Sequence, residues 1–423
     1  DKNFKLFLKL RNIENKGEYI FCEVVEFKNY WYKKDENGDY KTLFGEKCSK
    51  TFNNENANFE KDIKNDYRFL IDYCDKIFKK LEEKDLNLLY YDIETAKSLA
   101  IKETPGEILS IAFYSTLDNK NYCYYLRNKK DLTNSKEFLD KNIIVTAFES
   151  EKTMLKMFIG VLKIHDLVFT FNGAFFDDPY LINRARKLGV KEIFGYFKDA
   201  YIDEKLYEDR FMASLMEKGS LIHGEINFID AKPIVTKLFQ RGNFLTKPSS
   251  YSLREIGNIL NLEKQKIELK EGPFTLWDQD RIKELIEYNC QDVSALREIM
   301  LKMKVVDMIL TRKNLFPINF SQLFKNSKII DYLILSKYKD IVFPSVNYDN
   351  VNTIKLEGGY VMEGKQGIYK NTGIYDMNAL YPNIVIGHGI SNETFIDREK
   401  FLFDKTKNGI LTEIFEFMQK QRY

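Results

Sequence analysis

Histidine is scarce in this chain: three residues in 423, His165, His223 and His388. That is too little imidazole for a histidine-built metal site. The five cysteines, Cys22, Cys48, Cys74, Cys123 and Cys290, stand far apart, with no Cys-x-x-Cys pair. The spacing argues against a disulfide framework and a zinc ribbon, and it fits a reducing cytosol. No apolar run reaches the roughly 18 residues of a membrane span, and no signal peptide opens the chain, so no membrane partner and a cytoplasmic location are expected. Walker loops, Gly-x-Gly-x-x-Gly turns and Ser/His/Asp arrangements are missing, which removes support for ATPase, dehydrogenase and serine-hydrolase readings. An excess of charge is also missing. Lys and Arg number 65 against 63 Asp and Glu, for a net charge of +2. There is no bulk basic signature of a nucleic-acid binder. A cluster of acids would offset a basic channel, so the balance decides nothing.

Aromatic residues are plentiful, with 33 Phe and 26 Tyr, and 44% of the chain is hydrophobic. Some of these rings fill cores, and others are suited to stacking on unpaired bases. The length predicts about two to four domains. Residues 1–85 mix short strand-like runs (Phe4 to Leu10, Tyr19 to Phe27) with polar turns and a helix-like stretch from about Phe59 to Leu81, a small α+β domain. Leu86 to Tyr91, Ile108 to Tyr114, Tyr122 to Leu126 and Leu167 to Phe171 read as strands. Glu151 to Ile164, Pro179 to Leu188 and Arg281 to Met303 read as helices. That order, β-β-β-α-β-α and then a late helix, is that of a ribonuclease-H-like domain over 86–303. Phe211 to Val235 holds turn-like breaks between strand candidates, and a hairpin is expected there. A helical segment over 304–355 and a further region over 356–423 complete a mixed α/β chain.

Three acidic patches stand in that frame. Asp92 and Glu94 follow the apolar run that ends at Tyr91, so they occupy i and i+2 of a strand and share one face. Asp177 sits between a strand and a proline-started helix, and spacing alone leaves Asp178 as its rival. Tyr288 and Asp292 lie one helical turn apart. Phosphodiester hydrolysis needs an activated water and charge neutralisation at phosphorus, which two divalent cations about 3.5–4 Å apart supply. Mg²⁺ prefers carboxylate oxygens, so an all-acid site is apt. Spacing by itself is weak: Asp397-Arg398-Glu399 repeats the Asp-x-Glu pattern with no apolar strand before it. The order and context of the patches carry the reading.

These residues resemble the exonuclease motifs of family B DNA polymerases, the branch of the DEDD nucleases with a tyrosine in the last motif. Asp92-Ile93-Glu94-Thr95 matches the first motif, Asn172-Gly173 with Phe176-Asp177-x-Pro179-Tyr180-Leu181 the second, and Tyr288 with Asp292 the third. The resemblance implies that Asp92, Glu94, Asp177 and Asp292 hold two Mg²⁺ or Mn²⁺ ions and that Tyr288 aligns the attacking water. It assigns the metal role to Asp177 over Asp178 and places Asn172 and Phe176 against DNA. Ser250-Tyr251-Ser252-Leu253 resembles the family's linking segment, and Leu43 to Cys48 resembles polymerases of tailed bacteriophages, which would place the protein in a host cytoplasm.

Tyr375-Asp376-Met377-Asn378-Ala379-Leu380-Tyr381-Pro382 resembles the family's first palm motif. By that resemblance Asp376 closes an apolar strand and binds metal. Residues Met377 to Tyr381 cradle the nucleotide, with Tyr381 excluding a 2′-hydroxyl. Ala379 stands where the family usually has Ser. Gly358-Gly359-Tyr360 is similar to the family's template-touching turn. Nothing after Asp376 matches the later palm motifs, Ile410 to Tyr423 reads as a helix cut midway, and the chain opens on Asp1 rather than Met. The expectation is therefore part of a polymerase, competent at most for the 3′→5′ exonuclease reaction. The expected substrates are primer–template DNA and a single-stranded 3′ end, with dNTP only if the palm is completed. A sliding clamp or a second polymerase subunit is a further expected partner. The alternatives are one subunit of a split polymerase and a non-catalytic DNA-binding scaffold.

Overall fold

The computed structural model describes residues 6–11, 19–24, 27–77, 80, 82, 86–96, 106–128, 142–193, 220–223, 226–240, 247–263, 271–345, 362–373, 375–397, 400 and 402–422. The chain forms two compact units. One comprises Asp1–Phe4, Glu26–Asp75 and Ile330–Tyr423, the other Lys5–Val25 and Lys76–Ile329.

The larger unit is built on a seven-stranded mixed sheet. Its strands in chain order are β1 (Leu88–Thr95), β2 (Ile108–Ser115), β3 (Lys120–Leu126), β4 (Ile143–Phe148), β5 (Leu167–Thr170), β6 (Ser220–His223) and β7 (Ile226–Asp230). Their order across the sheet is β6-β7-β5-β1-β2-β3-β4. β1, β2 and β3 form an antiparallel meander. β5 runs parallel to both β1 and β7, and β4 parallel to β3. β1 is central, which explains why Leu88 to Tyr91 are all buried.

One face of the sheet is covered by α1 (Glu151–Lys163) and α2 (Asp177–Lys187). The face is apolar because alternate residues of β1, Leu89, Tyr91 and Ile93, point into it and meet Met154, Phe158, Ile159 and Leu181. Then come α3 (Ala231–Gln240), α4 (Leu253–Ile259), α5 (Pro273–Asp278) and α6 (Ile282–Lys302). Ser252 caps α4 through its hydroxyl, which accepts from the Glu255 N–H. The long α6 lies on the other face, over β1 and β2. There Arg297 covers the Tyr114 ring at 4.1 Å, and Leu285 joins Leu109 and Leu276 in a second apolar cluster.

The expected mixed α/β chain is what forms, with two differences. Ile143–Phe148 is a strand that the apolar runs did not single out. Residues 231–235, read among strand candidates, open α3 instead. Pro233 falls in the first turn of that helix, where a missing N–H costs little. The expected hairpin is present as the antiparallel pair β6/β7, while residues 211–219 and 224–225 lie outside the described residues.

In the smaller unit, strands Trp31–Lys34, Tyr40–Thr42 and Lys47–Thr51 pair antiparallel, and Ile341–Val342 adds parallel to the second of them. Arg68 and Glu60 form a buried ion pair beneath this join. The second Glu60 oxygen accepts from the Phe343 N–H at 3.0 Å. A buried pair of this kind is satisfied only when both segments are in place, so it ties two remote stretches of chain together. Further on, a helix Leu380–His388 packs on a helix Ile410–Arg422.

Candidate active site

Asp92 and Glu94 emerge from the β1 face opposite the core, both half-buried, while Ile93 between them is buried. Their cross-strand neighbours on β2 are Ala112 and Ser110, so small side chains leave room beside each acid. α6 crosses this face and supplies Asp292, buried, with half-buried Tyr288 one turn earlier. One carboxylate oxygen each of Asp92, Glu94 and Asp292 lies within 4.8 Å of the other two. Residues about two hundred positions apart in sequence thus meet because a central strand and a late helix share one sheet face. Three like charges at this range repel unless protons or a cation intervene. An all-oxygen, all-anionic donor set suits a hard divalent cation.

Asp177 opens α2 and stands beside this group rather than in it. The register of β5 with β1 stops at Tyr90, so beyond that point this edge of β1 lacks a ladder partner. Asp177 fills the gap, its Oδ1 accepting from the Ile93 N–H at 3.2 Å. Burial pushes its carboxyl up to about 7, against the pull of that N–H and with the charges of Asp230 and Asp292 adding to the rise. Asp178 turns the other way. The Tyr91 hydroxyl donates to its Oδ1 at 2.6 Å inside the core, and burial raises its pKa well above the ordinary carboxylate range.

The loop before α2 is held by Asp230 at the end of β7. Its buried carboxylate accepts from the N–H groups of Asn172 (2.8 Å), Ala174 (3.3 Å) and Lys232 (2.9 Å). Burial still raises its pKa to about 6, although those three N–H groups lower it. Asn172 is left-handed (φ 69°), and its side-chain oxygen accepts from Lys232 Nζ at 3.0 Å. Gly173 admits no side chain, because a Cβ there would lie 2.0 Å from Thr170 Oγ1. Phe176 packs tilted against Tyr180 with ring centroids 5.3 Å apart. Its neighbour Phe175 is the ring that reaches solvent, 52% exposed.

The second motif set is placed differently. Asp376 was expected to close an apolar strand; Ile374 lies outside the described residues, and the described residues show no strand there. Tyr375, Asp376 and Met377 form no strand among the described residues, and all three are exposed. A strand exists only through a ladder partner, and none of the described residues pairs with this stretch. Asn378 and left-handed Ala379 lead into the helix that starts at Leu380, with Tyr381 exposed in its first turn. Gly358, Gly359 and Tyr360 lie outside the described residues.

Sequence reasoning passed over Asp230, Ser110 and Asn289. Asp230 had a visible signal, an acid at the end of an Ile-Asn-Phe-Ile run. Ser110 and Asn289 had none, since a serine in a strand and an asparagine in a helix are ordinary. Among the described residues, no helix is long and apolar enough to cross a membrane.

Comparison with known proteins agrees with the motifs. The family model described as DNA polymerase family B, exonuclease domain, matches residues 46–256, and that for DNA polymerase family B matches 318–419. The chain is 26% identical over 354 residues to a DNA polymerase of Thermococcus litoralis, covering 79% of this chain and 19% of that protein. It is 27% identical over 362 residues to one of Methanocaldococcus jannaschii, covering 79% and 20%. It is 25% identical over 356 residues to one of Thermococcus gorgonarius, covering 81% and 41%. The chain therefore spans about a fifth to two fifths of the length of these archaeal relatives. The matched exonuclease domain is ribonuclease-H-like, as the order of elements implied. With its acids gathered on one sheet face and both models matched in order, the chain belongs to DNA polymerase family B.

Proposed function

We propose that this chain carries a 3′→5′ proofreading exonuclease that hydrolyses the terminal phosphodiester at a DNA 3′ end. The observation that supports it is the convergence of Asp92, Glu94 and Asp292 within 4.8 Å on the open face of β1, in motif order. Asp92, Glu94, Asp177 and Asp292 would hold two Mg²⁺ or Mn²⁺ ions, which supply an activated water and neutralise charge at phosphorus. Asp177, with its raised proton affinity, holds a proton near neutral pH that must leave when the site loads. Tyr288, one turn from Asp292, would orient the attacking water through its hydroxyl. Asn172 and Phe176, in the loop fixed by Asp230, would border the path of the frayed strand. Mismatched ends are selected because unpaired bases unstack at lower cost. The reaction belongs in the cytoplasm, or in the host cytoplasm if the source is a virus.

For Tyr375 to Pro382 the proposal is the first palm motif, with Asp376 as a metal-binding acid and Met377 to Tyr381 bordering the nucleotide. The family model over 318–419 supports it. Use of dNTP and association with a sliding clamp or a second polymerase subunit are part of the same proposal. The test is a gel assay with a primer–template carrying a 3′ mismatch and Mg²⁺, labelled on the primer 5′ end. Stepwise shortening, faster on the mismatch than on a matched end, is the expected result. Release of the labelled end in one step, or no cleavage at all, would count against an exonuclease of this polarity. Extension when dNTPs are added would mean that a working palm is assembled.

A further inference from the structure

One amide joins both elements that build the acid cluster. Asn289 is completely buried on α6, one residue after Tyr288 and three before Asp292. In the orientation that satisfies both ends of its side chain, its oxygen accepts from Ser110 Oγ at 2.7 Å. Its nitrogen then lies 3.2 Å from the Asp92 backbone oxygen and 3.3 Å from Asp92 Oδ2. Reversing the amide would set its oxygen against both Asp92 acceptors, so Asp92 fixes its direction, and the Ser110 hydroxyl, able to donate or accept, satisfies the other end. Ser110 is also completely buried and stands opposite Glu94 across the strands. The bridge therefore touches the strand of Asp92 and Glu94, the neighbouring strand, and the helix of Asp292.

We propose that Asn289 is a positioning residue for the metal-binding acids and acts through Asp92. This rests on the exonuclease reading of the site. Through its N–H, Asn289 holds the Asp92 carboxylate in one rotamer at a set spacing from Asp292, which rides on the same helical turn. A carboxylate held in this way loses less side-chain freedom when it takes a cation. The bland alternative is a tie between helix and sheet that stabilises the fold and leaves cation affinity alone.

The test is Mn²⁺ binding to the whole chain, followed by electron paramagnetic resonance of the free ion, with circular dichroism to confirm folding. The variants are Asn289→Leu, Ser110→Ala, Asp92→Asn, and Asp92→Asn combined with each of the first two. Asn289→Leu should weaken Mn²⁺ binding about 10-fold, the low end of what loss of an outer partner of a metal ligand costs. Ser110→Ala should weaken it less. In the Asp92→Asn background neither change should weaken binding further. Ser110→Ala carries the same test from the sheet side if Asn289→Leu does not fold. Unchanged affinity in folded Asn289→Leu, or in folded Ser110→Ala where Asn289→Leu fails, would overturn the proposal. An equal loss with and without the Asp92 carboxylate would do the same, since that is the mark of a purely structural tie. Full Mn²⁺ affinity in Asp92→Asn alone would remove the site reading and this inference with it.

Discussion

Asp92 and Asp376 each stand in a motif that pairs an acid with aromatic neighbours, yet their surroundings differ. Asp92 lies on a central strand flanked by buried residues, with Ala112 opposite, Asn289 overhead and two further acids within 4.8 Å. Asp376 lies on an exposed stretch with no strand partner among the described residues, beside a Tyr375 that is 97% exposed. The difference teaches what rigid elements contribute: the seven-stranded sheet fixes the spacing of Asp92 from the neighbouring acids, whereas no described strand does so for Asp376.

The contrast can be broken most directly through the acids themselves. Asp292→Ala should lower single-turnover cleavage on the order of 10³-fold, several kcal/mol of lost charge stabilisation, in a rapid-quench assay. The adjacent acids of α2 separate function from stability. Asp177→Ala should reduce cleavage, whereas Asp178→Ala should destabilise by about 1–3 kcal/mol, because the Tyr91 hydroxyl loses its buried acceptor. Asp178→Asn should restore most of that in a denaturant titration. Gly173→Ala should cost about 1–3 kcal/mol by forcing Thr170 aside and loosening the Asp177 loop.

A pH comparison follows from the raised carboxyls. Asp177 rises from 3.8 to about 7 and Asp230 from 3.8 to about 6. The folded state therefore binds more protons than the unfolded state across that window. Without cations, stability should fall as pH rises from the ordinary carboxylate value to about 7. On the proposed reading Mg²⁺ would take the place of the Asp177 proton, so the Tm gain on adding it should be larger at about pH 8 than at about pH 5.5. Equal gains at both would contradict the shared acid site. The smallest effect is expected in the other region: Asp376→Ala should change stability by no more than about 0.5 kcal/mol, as for an exposed side chain outside any packed network.

Much of this was legible because burial on both faces of a central strand writes an unbroken apolar run. Leu88 to Tyr91 announced β1, and the acids that follow announced its open end. The amphipathic period likewise announced α1 and α6, and hence where Tyr288 and Asp292 share a turn. β4 was harder, since most of its residues are only half-buried and its place is set by pairing with β3. α3 carries Pro233, Ile234, Val235 and Thr236, residues that favour strands or breaks, and tertiary packing of Ile234, Val235 and Phe239 overrode that preference. Asp230, Ser110 and Asn289 act through contacts with residues far away in the chain, and no local pattern records such contacts. That no strand forms at Asp376 among the described residues has the same root, because strand formation belongs to a pair and not to one segment.

The most direct measurement is the single-turnover excision rate of a 3′-mismatched primer by Asp92→Ala/Glu94→Ala protein, with DNA affinity measured in parallel. The account predicts excision lost by on the order of 10³-fold or more, with DNA binding kept or tightened as two negative charges leave the neighbourhood of phosphates. Excision at the normal rate by the folded, DNA-bound double variant would contradict it.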